Sequence, residues 1–359
     1  MKSEFIEPLR SWYKHNGRDL PWRHSRDPYR IWISEIMLQQ TRVQTVIPYY
    51  QRFLKHLPNT ESLAACPEEK LLKLWEGLGY YSRARNMKKA AEIIAAELDG
   101  HFPETAKELL KLPGIGSYTS AAIASIAFGE AAAAVDGNVL RVAARLSADE
   151  RDILNPRVRS SFAGELSAIG PREPYAFGEL NQAFMDLGSM ICLANAEPKC
   201  AECPICRFCE AKKQGRATEL PVRVRKTGRK KEKRTVFIFK DGEKIAVRKR
   251  PEKGLLAGLF EFPNEKGFLN RKEALEYTRE KGLFALTIRE LPEAKHIFSH
   301  TEWEMIGYEI RVPGGSAVEN GCLFAEAPEI EKSYPIPSAF AAYAREANIR
   351  LFTDKGEEK

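Results

Sequence analysis

The stretch Leu112-Pro113-Gly114-Ile115-Gly116, followed at a distance by Val135-Asp136-Gly137-Asn138, decides the fold of the first half of this chain. One helical pattern runs up to Leu112, and an alanine-rich helical pattern restarts at Ser117. The two glycines between them permit positive φ and a close approach of backbone N–H groups, and N–H groups at a helix start attract phosphate. The pattern therefore predicts two helices joined by a tight turn that holds a nucleic-acid backbone and presents the carboxylate of Asp136 to it.

Length and net charge limit the number of domains and the kinds of partner that the chain can have. The chain has 359 residues, enough for two domains, and a formal net charge of +7, which permits an anionic partner without requiring one. No apolar run at the N-terminus resembles a signal peptide, and no window of about 20 residues is apolar enough to span a bilayer. We therefore expect an intracellular, cytoplasmic protein.

The hydrophobic period divides the chain into three parts. Residues 1–215 have apolar spacings of three and four, residues 216–234 are rich in Arg and Lys, and the period changes to two after residue 234. This predicts a helical domain over 1–215, an exposed basic linker over 216–234 and an α+β domain over 235–359, with a hairpin at Asp241-Gly242. Helices are expected over 31–55, 68–77, 83–98, 105–111, 117–128, 138–147, 174–191, 271–281 and 337–349.

Five of the seven cysteines lie between Cys192 and Cys209, four of them in the run Cys200-x2-Cys203-x2-Cys206-x2-Cys209. Thiolates spaced so closely can converge on one metal centre, because a short loop wraps several sulfurs around a point. The lack of a nearby histidine favours an iron–sulfur cluster, with zinc as the alternative, and we expect the role to be structural.

Two carboxylates are expected to have opposite environments. Glu35 lies among apolar helical neighbours, whose burial would raise its pKa and suit it to general acid catalysis. Asp136 begins a helix, where backbone N–H groups would lower its pKa. A polar-edge glutamate and an ordinary N-cap are the structural alternatives. As a pair, however, the two are typical of an acid and a nucleophile or charge stabiliser in glycosidic bond cleavage.

Longer motifs carry a family resemblance. With the turn, Asp136 and the cysteines, three further segments resemble the adenine DNA glycosylases of the helix-hairpin-helix (endonuclease III) superfamily. These segments are 20–23 (LPWR), 35–41 (EIMLQQT) and 77–86 (GLGYYSRARN). The resemblance covers residues 5–209 densely. Residues 258–263 (GLFEFP) resemble the MutT-like (Nudix) fold. The resemblance implies an all-α glycosylase domain with an iron–sulfur loop, followed by an α+β Nudix-fold domain.

The resemblance also implies roles for individual residues. Glu35 would protonate N7 of a flipped-out adenine, Asp136 would stabilise or capture the oxocarbenium ion, and Tyr118 and Asn138 would hold the catalytic carboxylate and the sugar. Other residues would contact DNA or the bases. These are Gln182 at the adenine, Gln40 and Tyr80 as wedges, Arg18 and Arg23 at the pocket mouth, Trp22, Leu38 and Thr41 beside them, Gly114 and Gly116 in the hairpin, and Phe298, Ser299 and His300 at 8-oxoguanine. The implied partner is duplex DNA with adenine opposite 8-oxoguanine or guanine, bound by a monomer.

The metal loop departs from the family's Cys-x6-Cys-x2-Cys-x5-Cys spacing by one residue. The resemblance assigns Cys192, Cys200, Cys203 and Cys209 as ligands of a [4Fe–4S] cluster, and Cys206 is left as a surplus thiol. A set with Cys206 in place of Cys192 is the alternative.

Three other functions fit these motifs less well. An endonuclease III-like lyase acting on oxidised pyrimidines is disfavoured because Tyr118 stands where such relatives have a Schiff-base lysine. A Nudix hydrolase with a DNA-binding appendage is disfavoured because residues 271–277 (RKEALEY) lack the paired acids that hold Mg²⁺. A non-catalytic damage-binding protein is disfavoured because Glu35 and Asp136 are both retained.

Overall fold

A computed structural model describes residues 1–224, 228–315 and 322–351. Residues 225–227 of the predicted linker, and residues 316–321 and 352–359 of the predicted second domain, lie outside the described residues. The chain divides into two compact units. The first comprises Met1–Ala65 and Asn86–Lys226, and the second comprises Cys66–Arg85 and Thr227–Lys359.

Helices make up most of the first unit, and a few more belong to the second unit. The helices of the described residues are α1 Ile6–Asn16, α2 Pro28–Leu38, α3 Val43–His56, α4 Thr60–Ala65, α5 Glu68–Leu74, α6 Ser82–Glu97, α7 Ala106–Leu109, α8 Ser117–Ala127, α9 Gly137–Ser147, α10 Pro156–Ile169, α11 Ala176–Met190, α12 Glu210–Lys213, α13 Arg271–Glu280, α14 Ala327–Ser333 and α15 Ala341–Glu346. The helices predicted over 83–98, 117–128, 138–147 and 174–191 are confirmed to within two residues at each end. None of these helices is both long and apolar enough to cross a membrane.

The helix predicted over 31–55 is wrong as one element, because α2 ends at Leu38 and α3 begins at Val43. Gln40 between them has φ of 60°, a left-handed conformation that interrupts the ladder of helical hydrogen bonds. The apolar spacing continues across the break because both helices bury a face, so periodicity alone did not reveal it.

The turn at 112–116 joins α7 to α8 as the sequence predicted. Ile115 N–H donates to Leu112 O at 3.2 Å, and Gly114 has φ of 79°. A Cβ atom added at Gly114 would stand 2.6 Å from Cβ of Asn86, so both the backbone angle and the close approach require glycine there. Gly116 is the N-cap of α8, and no side chain caps that helix start.

The second unit contains a mixed β-sheet. Its strands in the described residues are β1 Lys230–Asp241, β2 Lys244–Lys249, β3 Phe260–Glu261, β4 Asn264–Lys266, β5 Thr287–Ile297, β6 Thr301–Arg311 and β7 Cys322–Glu326. The order runs β3-β2-β1-β6-β5, with β4 paired to β1 and β7 to β2. The predicted hairpin is present, and Asp241 pairs with Lys244 across the β1–β2 turn.

Strand β1 is buried on both faces of the sheet. Val236 and Ile238 pack in one apolar cluster with Phe340 and Tyr343, and Phe237 packs with Tyr277 of α13 in another. Because successive residues of a strand point to opposite faces, a run of four apolar residues suits a central strand covered on both sides.

Residues 230–234 of the predicted basic linker are strand rather than linker. They pair in parallel with β6, from Lys230 with Thr301 onward. Lys231 forms an ion pair with Glu304 at 3.4 Å, and the Arg234 guanidinium lies 4.1 Å from the centre of the Trp303 ring. The sequence did not predict this strand, because the partners of its positively charged residues lie about 70 residues away on β6.

Buried Asn181 on α11 holds the extended segment that leads into Asp136. Its Oδ1 accepts the N–H of Ala134 at 3.0 Å, and its Nδ2 donates to Ala132 O and to Ser125 Oγ, both at 2.9 Å. The segment from Gly129 to Val135 has no regular secondary structure, so these bonds satisfy backbone groups that no helix or strand satisfies.

We expect Asn181→Ala to lower the free energy of unfolding by roughly 2–4 kcal/mol, because buried donors and acceptors lose their partners. Urea unfolding followed by far-ultraviolet circular dichroism measures this change. Asn155→Ala, which removes the exposed N-cap of α10, is the control and should cost about 1 kcal/mol. Equal losses in the two variants would contradict the role given to Asn181.

Candidate active site

Glu35 lies on the buried face of α2 and is 5% exposed. The Tyr118 hydroxyl, from the first turn of α8, donates to Oε2 of Glu35 at 2.7 Å. The pKa of Glu35 is raised to about 7, because burial and, less strongly, the charge of Asp136 outweigh the lowering by the Tyr118 hydrogen bond and the charge of Arg23. The environment expected of a general acid from the sequence is therefore present.

Asp136 is the N-cap of α9. Its Oδ1 accepts the N–H groups of Asn138 and Val139 at 2.8 and 2.7 Å, and its Oδ2 accepts Nδ2 of Asn138 at 3.0 Å. The expected direction of its pKa shift was wrong: burial raises the pKa of Asp136, although these hydrogen bonds and the charge of Arg141 lower it. The sequence showed the N-cap but not how strongly the folded chain would desolvate its carboxyl group.

Asn138 is held by side chains and backbone from two helices. Nη2 of Arg141, one turn along α9, donates to Asn138 Oδ1 at 2.9 Å and to Gly188 O of α11 at 2.5 Å. A Cβ atom added at Gly188 would lie 2.6 Å from the Asn138 Cβ, so glycine permits the close approach of α11 to α9. Asp136, Asn138 and Arg141 thus form one hydrogen-bonded chain along the start of α9.

Asp186 is a residue that the sequence analysis missed. It is fully buried on α11 and accepts the backbone N–H and Nε of Arg18, at 2.9 and 2.7 Å, and both terminal nitrogens of Arg23, at 2.7 and 2.8 Å. These bonds hold the pKa of Asp186 below its usual range in spite of burial. A lone acid within the apolar run 183–188 (AFMDLG) was the available signal, since a buried carboxylate needs cationic partners.

Arg23 connects this ion-pair cluster to Glu35 and Tyr118, because its charge lowers the pKa values of both groups. Its guanidinium also lies 5.4 Å from the centre of the Tyr13 ring, and the Tyr13 hydroxyl donates to Oε1 of Gln182. Gln182, which the sequence placed at the adenine, is therefore oriented by the same group of side chains.

The remaining predicted DNA contacts of the first unit lie around the α2–α3 break. Gln40 is exposed at its tip in the left-handed conformation, and Leu38 and Thr41 beside it are half-buried. Trp22, by contrast, is buried edge-on against Tyr50 with ring centres 5.4 Å apart, so it supports the fold from inside.

Four predicted DNA contacts belong to the second unit. Phe298, Ser299 and His300 form the turn between β5 and β6, where Phe298 N–H donates to Thr301 O at 2.8 Å. Tyr80 is 45% exposed with φ of 48°, and its hydroxyl lies 2.5 Å from Oγ of Ser299. The structure thus brings together Tyr80, predicted as a wedge, and Ser299, predicted at 8-oxoguanine, which are 219 positions apart in sequence.

The cysteine loop follows α11 and packs against the core of the first unit. Cys192, Cys203 and Cys209 contact the apolar cluster formed by α9, α10 and α11. Arg145 of α9 donates from Nη1 to Sγ of Cys192 at 3.2 Å, and its carbonyl oxygen accepts the Cys209 thiol at 3.3 Å. Nε of Arg141 donates to the Cys192 carbonyl at 2.7 Å, so the loop is bonded to the helix that Asp136 caps.

The donor chemistry of this loop fits a cationic metal centre. The pKa of Cys203 is raised to about 12, mainly by burial and also by the neighbouring Cys192, Cys206 and Cys209, because thiolates gathered in one place repel each other. A metal centre that binds thiolates would relieve that repulsion. In the described residues no three His, Cys, Asp or Glu side chains enclose a single-ion site as they stand, so the fit rests on the chemistry of the sulfurs.

The helical site combines a protonatable carboxyl, a second carboxylate on a helix start and a tyrosine hydroxyl between elements. Glu35, Tyr118, Asp136 and Arg23 influence one another's ionisation, which places them in one electrostatic environment. Such an arrangement can donate a proton to a leaving group and stabilise positive charge that develops on a substrate.

Two family models match the chain. Residues 33–164 match the HhH-GPD superfamily of base excision DNA repair proteins, and residues 234–346 match the NUDIX domain. Among solved structures, the chain is similar to a thermostable thymine-DNA glycosylase, with TM-score 0.53 and 30% identity, covering 58% of this chain and 95% of that one. A non-covalent endonuclease III–DNA complex has TM-score 0.50 and 26% identity, covering 60% of this chain and 99% of that one. The expected fold class, a helix-hairpin-helix domain with a Nudix-like α+β domain, is confirmed.

Relatives that match most of the chain identify the family within this superfamily. The adenine DNA glycosylase of Buchnera aphidicola subsp. Baizongia pistaciae is 37% identical over 298 residues, which cover 82% of this chain and 83% of that protein. The human adenine DNA glycosylase is 34% identical over 375 residues, which cover 88% of this chain and 68% of that protein. With a helical unit, a Nudix-like unit and a buried carboxylate site in place, this chain belongs to the adenine DNA glycosylase family.

Proposed function

We propose that this protein hydrolyses the N-glycosidic bond of adenine mispaired with 8-oxoguanine or guanine in duplex DNA. The observation that carries the proposal is the buried Glu35 carboxyl, with a pKa of about 7, bonded to Tyr118 and electrostatically linked to Asp136. Glu35 can hold a proton near neutral pH, while at Asp136 two backbone N–H groups favour the carboxylate and oppose the burial that raises its pKa.

Each carboxyl has a defined step in this reaction. Glu35 donates its proton to N7 of the flipped-out adenine, so that the C1′–N9 bond breaks and adenine leaves as a neutral base. Asp136 faces the positive charge that develops at C1′ and stabilises or captures the oxocarbenium ion before water adds there. Asn138, bonded to Asp136 and Arg141, keeps that carboxylate in place.

Tyr118 supports a reaction that stops at base removal. Strand cleavage by lyase relatives requires an amine that forms a Schiff base, and a phenol cannot form one. The Tyr118 hydroxyl instead donates to Glu35. The product is therefore an abasic site in an intact strand.

The second unit is proposed as the reader of the base opposite adenine. The turn at Phe298–His300 exposes Ser299 and His300, and the Tyr80 ring is exposed beside Ser299 as a wedge for base insertion. In α13, where Nudix hydrolases hold Mg²⁺, the Glu273 carboxylate accepts the backbone N–H of Asn270 in a capping box. This supports recognition rather than hydrolysis as the role of the unit.

We propose that Cys192, Cys200, Cys203 and Cys209 hold a [4Fe–4S] cluster, which would cross-link the loop that carries them. Packing of Cys192, Cys203 and Cys209 on the core and the bonds from Arg141 and Arg145 to this loop support a structural role. Cys206 is left as the fifth thiol of the same neighbourhood.

Duplexes with adenine opposite 8-oxoguanine, adenine opposite thymine, and thymine glycol test the activity. We expect strand breaks on the first duplex only, and only after hot alkali, because alkali cleaves at abasic sites. Scission without alkali would contradict the monofunctional reaction. No scission with alkali would contradict the glycosylase proposal itself.

The pH dependence tests the role of Glu35. The single-turnover rate of adenine removal should fall as the pH rises through about 7, because Glu35 loses the proton that it must donate. Glu35→Gln should lower the rate by roughly 10²–10⁴-fold, the usual contribution of general acid catalysis. In Tyr118→Phe the fall should move to higher pH, since the lost hydrogen bond stabilised the ionised carboxylate.

The exposed Glu92→Gln on α6 is the control and should leave the profile unchanged. A Tyr118→Phe profile that moves to lower pH would contradict the hydrogen bond as its cause.

Visible absorbance, iron and sulfide content test the metal centre. We expect a coloured protein with iron–sulfur charge-transfer bands, and a colourless zinc protein would refute the cluster. Cys192→Ser should lose the absorbance and Cys206→Ser should keep it. The reverse result would establish the alternative ligand set.

A further inference from the structure

Residues 66–85 are interleaved in sequence with the helical unit but belong to the second unit. They comprise α5, the loop that carries Tyr80 and the first turn of α6. Since Tyr80 is hydrogen-bonded to Ser299, the manner in which this segment is attached decides where the wedge stands relative to the reading turn.

An ion pair between half-buried Lys73 and buried Glu76 attaches the segment before the Tyr80 loop. Glu76 is 3% exposed, and its Oε1 accepts the N–H of Ile336 at 2.9 Å, while its Oε2 pairs with Lys73 Nζ at 2.8 Å. Lys73 Nζ also donates to the carbonyl oxygens of Ile330 and Tyr334, at 3.5 and 3.3 Å. We call the pair Lys73 and Glu76 the clamp.

The clamp reaches the sheet through the segment that it holds. Phe260 of β3 donates its N–H to Pro335 O at 3.0 Å, and its ring lies 4.7 Å from that of Tyr334. The Pro335–Ile336 peptide group therefore bonds to Glu76 through its N–H and to a sheet strand through its carbonyl oxygen. Displacing Glu76 would break its bond to the buried Ile336 N–H and its ion pair with Lys73, and breaking bonds of buried polar groups costs free energy.

A second attachment follows the Tyr80 loop. Arg85 Nη2 donates to Ala257 O at 2.6 Å, and Arg85 Nε pairs with Glu68 of α5 at 2.7 Å. Within the loop, Trp75 Nε1 and Arg83 Nη2 both donate to Gly79 O, at 3.1 and 3.0 Å. The loop is thus fixed before, within and after the exposed Tyr80 ring.

We infer that Lys73 and Glu76 are positioning residues for lesion discrimination: the clamp holds the Tyr80 wedge and the Ser299 turn as one rigid reading element. The inference rests on the proposed reading of 8-oxoguanine opposite adenine. A left-handed, exposed tyrosine is a strained conformation that persists only where its surroundings over-determine it. The clamp supplies that constraint from the sheet that also carries the reading turn.

The test compares affinities of the full-length protein for two duplexes. Both contain a 2′-fluoro-adenosine, whose glycosidic bond resists cleavage, opposite either 8-oxoguanine or guanine. We expect Glu76→Ala to weaken binding to the 8-oxoguanine duplex about tenfold and to the guanine duplex less than about twofold, because the loss falls on the contact that reads the lesion. The single-turnover rate on saturating A:8-oxoguanine substrate should change by less than about threefold, since the clamp does not touch the reacting atoms.

Two variants serve as matched controls. Glu76→Gln keeps an oxygen that accepts the Ile336 N–H and should restore discrimination to within about threefold of the unaltered protein. Glu69→Gln removes an acid of the same helix whose ion pair with Lys249 is exposed, and it should leave both affinities unchanged. Equal weakening on both duplexes in Glu76→Ala, with a lowered melting temperature, would indicate a purely structural residue and overturn the inference.

A double-mutant cycle shows whether the clamp acts through the reading element. Added to Ser299→Ala, the Glu76→Ala change should cost little more in affinity for the 8-oxoguanine duplex, because both remove the same wedge–turn arrangement. Full additivity would contradict the inference.

The proposed function and the inference fail in different ways. If the unaltered protein binds both duplexes equally, the proposed reading of 8-oxoguanine fails. The clamp is then judged by 2-aminopurine placed beside the mispair, whose fluorescence rises when a wedge unstacks it. Loss of that rise in Glu76→Ala supports the clamp, and its retention overturns it. If the unaltered protein discriminates and Glu76→Ala discriminates equally well, only the inference fails.

Discussion

Burial of the Glu35 carboxyl is the constraint on which the helical site depends. A carboxylate removed from water is destabilised, so the group keeps its proton to a pKa of about 7. The Tyr118 hydroxyl and the charge of Arg23 limit that rise. Arg23 is itself held by the buried carboxylate of Asp186. Asp186 therefore acts on Glu35 indirectly, because it positions the Arg23 charge that lowers the pKa of Glu35. The site is a balance between desolvation and a few placed charges.

Helix α9 joins the two chemically distinct parts of the first unit. Asp136 caps its start, and Arg141 and Arg145, one and two turns further, bond to the loop that carries Cys192. Close approach of α11 at Gly188 lets Arg141 reach Asn138 and the α11 backbone together. The placement of the second carboxylate therefore depends on the packing of α9 and α11 and on the order of the cysteine loop.

The second unit is assembled from segments far apart in sequence. The α5 segment and the Tyr80 loop are separated in sequence from the strands of its sheet. The Lys73–Glu76 pair and Arg85 nevertheless attach this segment and this loop to residues 257–336. An ion pair that is buried and also hydrogen-bonded to backbone gives positional specificity more than net stability. Tyr80, as the proposed wedge that must meet one base of a duplex, would benefit from such placement.

Local features were readable from the sequence. The turn at 112–116, the N-cap at Asp136, the apolar surroundings of Glu35 and the hairpin after Asp241 all depend on residues within a few positions of each other. The family and the two-part architecture followed from such motifs and are confirmed.

Tertiary structure alone decided what depends on distant neighbours. The pKa of Asp136 rises because the folded chain desolvates its carboxyl group, although its local N–H partners lower that pKa. Asp186 finds two arginines more than 160 residues away, Lys230–Arg234 become strand through β6, and residues 66–85 join the second unit. Burial, ion pairing and strand pairing are properties of the packed chain, and local sequence patterns do not contain them.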